Sequence, residues 1–569
     1  MTTHASPVQY REVTWRLLGS ELFDVCIIGG GINGAAVARD AVLRGMTVAL
    51  LESNDFASGT SSRSSKLVHG GVRYLQQGDV ALVLESCRER DLLRTRIAPH
   101  LVRAQRFVFP IYDDDSVPVW QLRIGLTMYD LLAGFQNLQR HKPLSAAQLR
   151  EREPALATHG LRGGALYYDC WTDDARLTLE TALAARAAGA AVLNHAQVVA
   201  FDKDATGRLT AACVLDRLSG ESVTVRARSF INVAGPWLDH VRRMDDPGAP
   251  PRLRLTKGVH AVFDRSRIGN NDAIVMRGVD GRVMFAIPWQ SQTVVGTTDT
   301  FYSGDPGDVR ADGDDVDYIL AAVARTFPGA NATARHIIST YAGLRPLVAP
   351  EDERSASDVS REDQIFESPS GLISLGGGKL TTHRHVAEIL VDHAAERVGR
   401  RVGRCRTADV PLPGAVGVEP GEALPDTPET REEHIRTRYG ALCGEVAALV
   451  REDERLGHPL AGDLPDLLAE VVHAADYEMA CTLEDALLRR MHVGLRSRER
   501  SDVLRLAAEV MGRRLGWDAA RTQQEIERCQ ERLRLDSEGF TSRIDEREGT
   551  ASMSHREDAP DAAPSAANT

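Results

Sequence analysis

The residues best placed to do chemistry lie in one run, FDVCIIGGGINGAAVARDAVLRGMTVALLE, over residues 23–52. Gly29, Gly31 and Gly34 take the three places of a dinucleotide fingerprint. The first permits a tight turn, the second lets a diphosphate approach the backbone, and the third lets a helix pack closely on a strand. Residues 25–28 are apolar and β-branched and predict a buried strand, residues 35–44 a helix ended by Gly45, and residues 46–51 a second strand. Glu52 closes that strand, where a carboxylate accepts hydrogen bonds from ribose hydroxyls while the helix N-terminus holds the diphosphate. Strand, glycine turn, helix and terminal acid together are the context that the motif requires. This run by itself does not separate FAD from NAD.

Two further stretches offer donors to a nucleotide. Residues 53–75, SNDFASGTSSRSSKLVHGGVRYL, are rich in hydroxyls and poor in acids, and carry Lys66, His69, Arg73 and Tyr74. Directly after a nucleotide motif, such a loop is expected to wrap a bound cofactor. Residues 376–384, GGGKLTTHR, bring glycines into a predicted helix and form a second nest of backbone donors. Between them, FINVAGP at 230–236 reads as a strand running into Gly235, the kind of strand end that faces a cofactor crevice.

The elements that must position these residues are of mixed type. A leader helix is expected over residues 1–20 and a solvated helix over 80–98. Strands are expected at 106–112, 209–215 and 222–228, and an alanine-rich helix at 175–188. Residues 118–135 have aromatic and aliphatic positions at helical spacing, read as core more readily than as membrane contact. Residues 252–300 alternate polar and apolar, the pattern of antiparallel sheet, and interrupt the nucleotide-binding unit. A helix at 314–326 and strands at 337–344 and 370–375 follow; 400–425 reads as a linker and 427–535 as almost wholly helical. From 536 onward the hydrophobic content is low and disorder is expected.

The 569 residues exceed one core, so two or three domains are expected. A hydrophobic share of 43% and a charged share of 26% are those of an ordinary globular protein. The net charge of −12 argues against nucleic acid as a partner. None of the eight cysteines forms a CxxC pair, which argues against zinc, iron–sulfur and disulfide frameworks, and no metal is expected. With neither a signal-peptide core nor a membrane-spanning run, a cytoplasmic protein is expected.

Several dispersed stretches carry a resemblance: IIGGGINGAAVARDA (27–41), GTSSRSSKLVHGGVRYL (59–75), NVAGPW (232–237), LTKGVHAVF (255–263), VGTTDT (295–300), YAGLRPL (341–347) and GGGKLTTHR. With these the chain resembles the FAD-dependent glycerol-3-phosphate dehydrogenases that feed the respiratory quinone pool. The resemblance implies an α/β fold with a Rossmann-type FAD-binding domain split in sequence over 21–90, 172–240 and 340–400. It also implies an antiparallel-sheet substrate domain inserted at 91–171 and 241–339, an all-helical C-terminal domain at 401–536, and a disordered tail at 537–569.

The implied reaction is oxidation of the C2 hydroxyl of sn-glycerol 3-phosphate to dihydroxyacetone phosphate, with electrons passed to a quinone. A phosphate dianion asks for clustered cations. The resemblance maps phosphate and substrate contacts onto Arg73, Tyr74 and Lys379. It puts Arg345 beside the reacting hydroxyl, His260 as proton acceptor, Thr298 as a hydrogen-bond partner and Lys379 beside the flavin ring. Cofactor contacts are expected from Gly29, Gly31, Gly34, Glu52, Ser62, Ser65, Lys66, Gly235, Gly377 and Leu380, with Val198 near the adenine. The family is typically a homodimer lying peripherally on the cytoplasmic membrane face. The alternatives are a glycerol-3-phosphate oxidase using oxygen, an amine or amino-acid oxidase of similar fold, and a flavin-bearing subunit without turnover.

Overall fold

A computed structural model describes residues 7–72, 79–115, 117–133, 139–349, 363–419, 430–497 and 500–557, the stretch 545–557 through its backbone alone. Two sheets organise it. The first has eight strands, and its central order is Gln364–Glu367, Leu372–Gly376, Ser222–Asn232, Leu22–Ile28, Val48–Leu51 and Ala191–Leu193. From Leu372–Gly376 to Ala191–Leu193 the pairing is parallel. The fingerprint turn therefore lies at the carboxyl end of a central strand whose Val25, Ile27 and neighbours are fully buried, as helices on a parallel sheet require. The helices Ile32–Leu43, Asp174–Ala187 and His383–Val398 pack together. The leader helix is Pro7–Ser20, with Leu18 sunk in the core of this sheet.

The second sheet has ten strands and is antiparallel apart from one pairing, between Ala273–Arg277 and Val102–Tyr112. Its long strands Leu253–Asp264 and Ile337–Val348 run antiparallel over almost their whole length. That pairing opposes His260 to Tyr341 and Thr256 to Arg345. The expected boundary at residue 340 falls inside this strand, which belongs to the second sheet as far as Val348. Leu67–Val68, expected within the nucleotide-binding part, pairs with Leu161–Thr172 in the second sheet. A β-ladder follows hydrogen-bond partners rather than linear composition, so short strands change sheets without a sequence signal.

Helix Val119–Leu132 splits its apolar residues between two faces. Leu122, Leu126 and Tyr129 are buried, whereas Trp120, Ile124, Met128 and Leu131 are between 45% and 64% exposed. The stripe read as core is thus core on one side only.

The C-terminal helices enclose their own core, which reaches Val262, Trp289 and Tyr341 of the second sheet. Buried ion pairs join them to the first sheet: Arg176 to Glu478 at 2.7 Å, and Asp55 to Arg489 and Arg490. The expected linker is, over its described part, a packed strap: Leu412 is fully buried and donates its amide to Ile97, and Gly414 donates to Glu180. Disorder from 536 does not hold for the described side chains. Helix Ala519–Glu557 runs through that point, Phe540 packs in the core of the second sheet, and Thr340 donates its hydroxyl to the Asp536 carbonyl. Phe540, with Ile544 packed beside the same core and Arg543 paired to Asp314 and Asp317, anchors a segment whose average composition reads as solvated.

Candidate active site

The fingerprint turn is built as tightly as its glycines require. Gly29 has φ +114°, and a Cβ there would lie 2.7 Å from the Val233 carbonyl oxygen. A Cβ on Gly34 would lie 1.8 Å from the Gly29 carbonyl oxygen, so only glycine lets helix Ile32–Leu43 seat on the strand. Val233 donates its amide to Ile28, bringing the 230–236 strand end against the same turn.

Glu52 accepts the Gly30 amide at 2.6 Å and the Asn54 amide at 2.8 Å. Burial raises its pKa, and the two amides oppose that rise. Ala196 donates its amide to the Glu52 carbonyl, which brings the strand carrying Val198 to the same corner. The second nest meets the first: Gly378 has φ +104°, and its Cβ would stand 2.2 Å from the Asn33 side-chain nitrogen. Asn33 Oδ1 is buried with no hydrogen-bond partner among the described residues. Two backbone nests, a ribose-competent acid and an orphaned polar atom converge there, a set of donors and acceptors that suits the diphosphate and ribose of a dinucleotide.

Beside this turn the two sheets enclose a cavity of about 700 Å³. Lys379, Leu380 and Gly377 line it from the second nest, Ser65 and His69 from the hydroxyl-rich loop, and His260 and Arg345 from the antiparallel sheet. Residues far apart in sequence thus line one cavity. Arg345 donates to Asp299 at 3.0 Å and to Thr297 Oγ1 at 3.1 Å. His260 is buried, its Nε2 lies 2.9 Å from Ser65 Oγ, and its ring stacks on Tyr341 at 4.8 Å. Burial, aided by the Arg345 and Lys66 charges, lowers its pKa to about 3, so the imidazole is neutral at physiological pH.

Other expected residues sit elsewhere. Thr298 is turned from the cavity and accepts the Val259 amide at 3.0 Å; its neighbour Thr297 is on the wall. The Lys66 side chain points away into an ion pair with Asp174 at 2.6 Å, because a buried ammonium needs a carboxylate beside it. Ser62 is buried at the end of the short Thr60–Ser62 turn, and Gly235 holds φ +55° with open space where its Cβ would be. Arg73 and Tyr74 lie outside the described residues.

Sequence reasoning passed over Asp299, Thr297, Ser61 and Arg282. Asp299 and Thr297 stood inside the GTTDT stretch, and their pairing with Arg345 is a product of strand register. Ser61 accepts the Ile32 amide at 3.0 Å, at the helix N-terminus that the fingerprint announces. Arg282 lines the cavity, pairs with Asp280 at 3.0 Å and had no motif to announce it. The far part of the cavity is apolar, with Phe107, Leu122 and Phe285.

A neutral imidazole, a guanidinium and an ammonium around one enclosed space suit an anionic substrate whose hydroxyl must lose a proton. Residues 24–393 match the FAD dependent oxidoreductase family, and residues 405–522 match the C-terminal domain of alpha-glycerophosphate oxidase. An aerobic glycerol-3-phosphate dehydrogenase of Staphylococcus haemolyticus is 39% identical over 84% of this chain and 88% of its own length. A glycerol-3-phosphate dehydrogenase of Synechocystis is 38% identical over 83% of this chain and 89% of its own. The FAD-bound structure of the Bacillus halodurans glycerol-3-phosphate dehydrogenase superposes with a TM-score of 0.77 at 32% identity, covering 94% of this chain and 99% of that one. The chain belongs to the FAD-dependent oxidoreductases and, within them, to the glycerol-3-phosphate dehydrogenase and oxidase enzymes.

Proposed function

We propose that the protein oxidises the C2 hydroxyl of sn-glycerol 3-phosphate to dihydroxyacetone phosphate and passes the electrons to a quinone. FAD, when bound, supplies the hydride acceptor at its N5. The chain's own residues supply position and charge. Lys379, with Arg73 and Tyr74 carried over from the family resemblance, is assigned to the phosphate. Arg345 is assigned to the hydroxyl oxygen, where its guanidinium stabilises developing alkoxide. His260 takes the hydroxyl proton; its low pKa in the cavity means that a bound anion and the nearby alkoxide must raise its basicity as the proton moves. The carrying observation is that Arg345, Lys379 and His260 line one cavity beside the fingerprint turn. Gly29, Gly31, Gly34, Glu52, Ser62, Ser65, Val198, Gly235, Gly377 and Leu380 are the proposed cofactor contacts; Lys66 contributes through its backbone.

The same reading makes the protein a homodimer lying on the cytoplasmic membrane face. No described helix is long and apolar enough to cross a membrane. The exposed Trp120, Ile124, Met128 and Leu131 stripe supports surface contact.

The test is anaerobic addition of glycerol 3-phosphate to the FAD-loaded protein. Bleaching of the flavin by this substrate, but not by amino acids or glycine derivatives, is expected; an unbleached flavin defeats the proposal. Stopped-flow reoxidation then separates the acceptors. Fast reaction with a soluble quinone and slow reaction with oxygen is expected, and the reverse outcome makes the protein an oxidase.

A further inference from the structure

The hydroxyl-rich loop, beyond its part in holding cofactor, bears on His260 through a turn at residues 64–66. Ser65 Oγ is the polar contact of the His260 ring at Nε2, while Nδ1 is buried with no hydrogen-bond partner among the described residues. Tyr341, which stacks on the same ring at an interplanar angle of 15°, donates its hydroxyl to the Ser64 carbonyl at 3.1 Å. The edge and the face of the imidazole are thus both tied to one turn.

That turn does not hold its shape unaided. Lys66 has φ +57°, a left-handed conformation that side chains other than glycine adopt at some cost. Asp174, fully buried at the start of helix Asp174–Ala187, supplies the restraint. One of its oxygens accepts the Ser64 amide at 3.1 Å and the Ser64 hydroxyl at 2.7 Å. The other accepts the Lys66 ammonium at 2.6 Å and the Ala175 amide at 3.0 Å. Ser64 Oγ in turn accepts the Lys66 amide at 3.0 Å, closing the turn on itself. The adjoining Asp173 caps the same helix by accepting the Arg176 amide and is paired with His492 of the C-terminal helical part at 2.9 Å.

We propose that Asp174 is a positioning residue for His260: by clamping the 64–66 turn it presents Ser65 to the imidazole and fixes the orientation of the ring. The Ser65 hydroxyl can donate to Nε2 or accept from it, so the bond holds the edge of the ring in place whichever nitrogen carries the proton. The role rests on the assignment of His260 to the proton under the proposed function. A carboxylate that merely neutralised Lys66 would make no use of the two bonds to Ser64.

The experiment is a double-mutant cycle on the FAD-loaded protein with S65A, D174N and S65A/D174N. It measures kcat and KM for glycerol 3-phosphate with an artificial electron acceptor, corrected for flavin content. Because small misplacement of a reacting group is expensive, each single variant is expected to lower kcat about 10- to 100-fold with KM changed less than about threefold. The double variant is expected to be no slower than the slower of the two single variants. Multiplying effects, or an unchanged kcat in D174N, overturn the proposal. D174N leaves the buried Lys66 without its counter-charge, so K66M/D174N is measured as well. It is expected to stay slow, and recovery of wild-type kcat shows that charge neutralisation was the whole role.

A readout independent of turnover is carbethoxylation of His260 by diethyl pyrocarbonate, mapped by peptide mass. It is expected to rise severalfold in both single variants, and equal labelling overturns the proposal. Wild-type bleaching by glycerol 3-phosphate is scored separately, so failure of the proposed reaction is not confused with failure of the clamp.

Discussion

The fingerprint turn, beside the cavity, and the His260–Arg345 wall, which lines it, are specified in opposite ways. The turn is a backbone device: its glycine positions, helix start and Glu52 lie within 30 consecutive residues, from 23 to 52, and its glycines pack mainly against backbone, the Gly29 and Val233 carbonyls among it. The wall is a side-chain device. His260 is set against Tyr341 and Gly296 by strand pairing, Arg345 against Thr297 and Asp299 by the same sheet, and Ser65 by a turn clamped from helix Asp174–Ala187. A turn of the first kind tolerates almost no added atom. A wall of the second kind is adjustable at each position and depends on the whole fold for its registration.

The contrast is broken most severely at Gly34. G34A puts a methyl group 1.8 Å from the Gly29 carbonyl, so the variant is expected to purify without FAD, read as loss of flavin absorbance per protein. If G34A binds FAD normally, the turn is not the backbone cradle described. R345A comes next. It is expected to keep its flavin and lose about 10²- to 10³-fold in kcat, the loss seen when one oxyanion donor is removed. A wild-type rate in R345A would remove the guanidinium from the chemistry.

F540A probes how far the second sheet relies on the C-terminal helix. Loss of this buried ring is expected to destabilise by about 3 kcal/mol, read from thermal or denaturant unfolding. No change would mean that the helix end is not anchored.

The last test is the dependence on pH. His260 and His383 are buried and neutral, with pKa values lowered by burial to about 3 and about 4. The unfolded chain binds protons below about pH 6.5 and the native one does not, so stability falls as pH drops from there toward the folded values. Each histidine contributes a slope of about 1.4 kcal/mol per pH unit in that window. H260N is expected to flatten the fall in Tm between pH 6.5 and 4.5, and an unchanged slope would mean that His260 is not held neutral.

The same contrast explains what was legible beforehand. The parallel sheet, its helices and the glycine nests were readable because local pattern and backbone conformation coincide there. The exchange of Leu67–Val68 between sheets, the continuation of Ile337–Val348, the packed strap around Leu412 and the anchoring of Phe540 were not, since each depends on a partner distant in sequence. Lys66 shows the limit most plainly. A lysine in a hydroxyl-rich loop reads as a cofactor contact, and the fold instead pairs it with a carboxylate 108 residues away.

From the amino-acid order alone came a nucleotide cradle, the interleaving of two sheet types and a short roster of cations and one histidine able to handle a phosphorylated alcohol. The cradle and the sheet types follow from glycine sterics and from hydrophobic period, both of which are local, whereas the roster is what the family resemblance implies. Which of those side chains face one another, which are neutralised, and which unannounced residues such as Asp299 and Asp174 hold them in place was decided only by the folded chain. Strand register and buried ion pairing join positions hundreds of residues apart, and no local pattern encodes that distance.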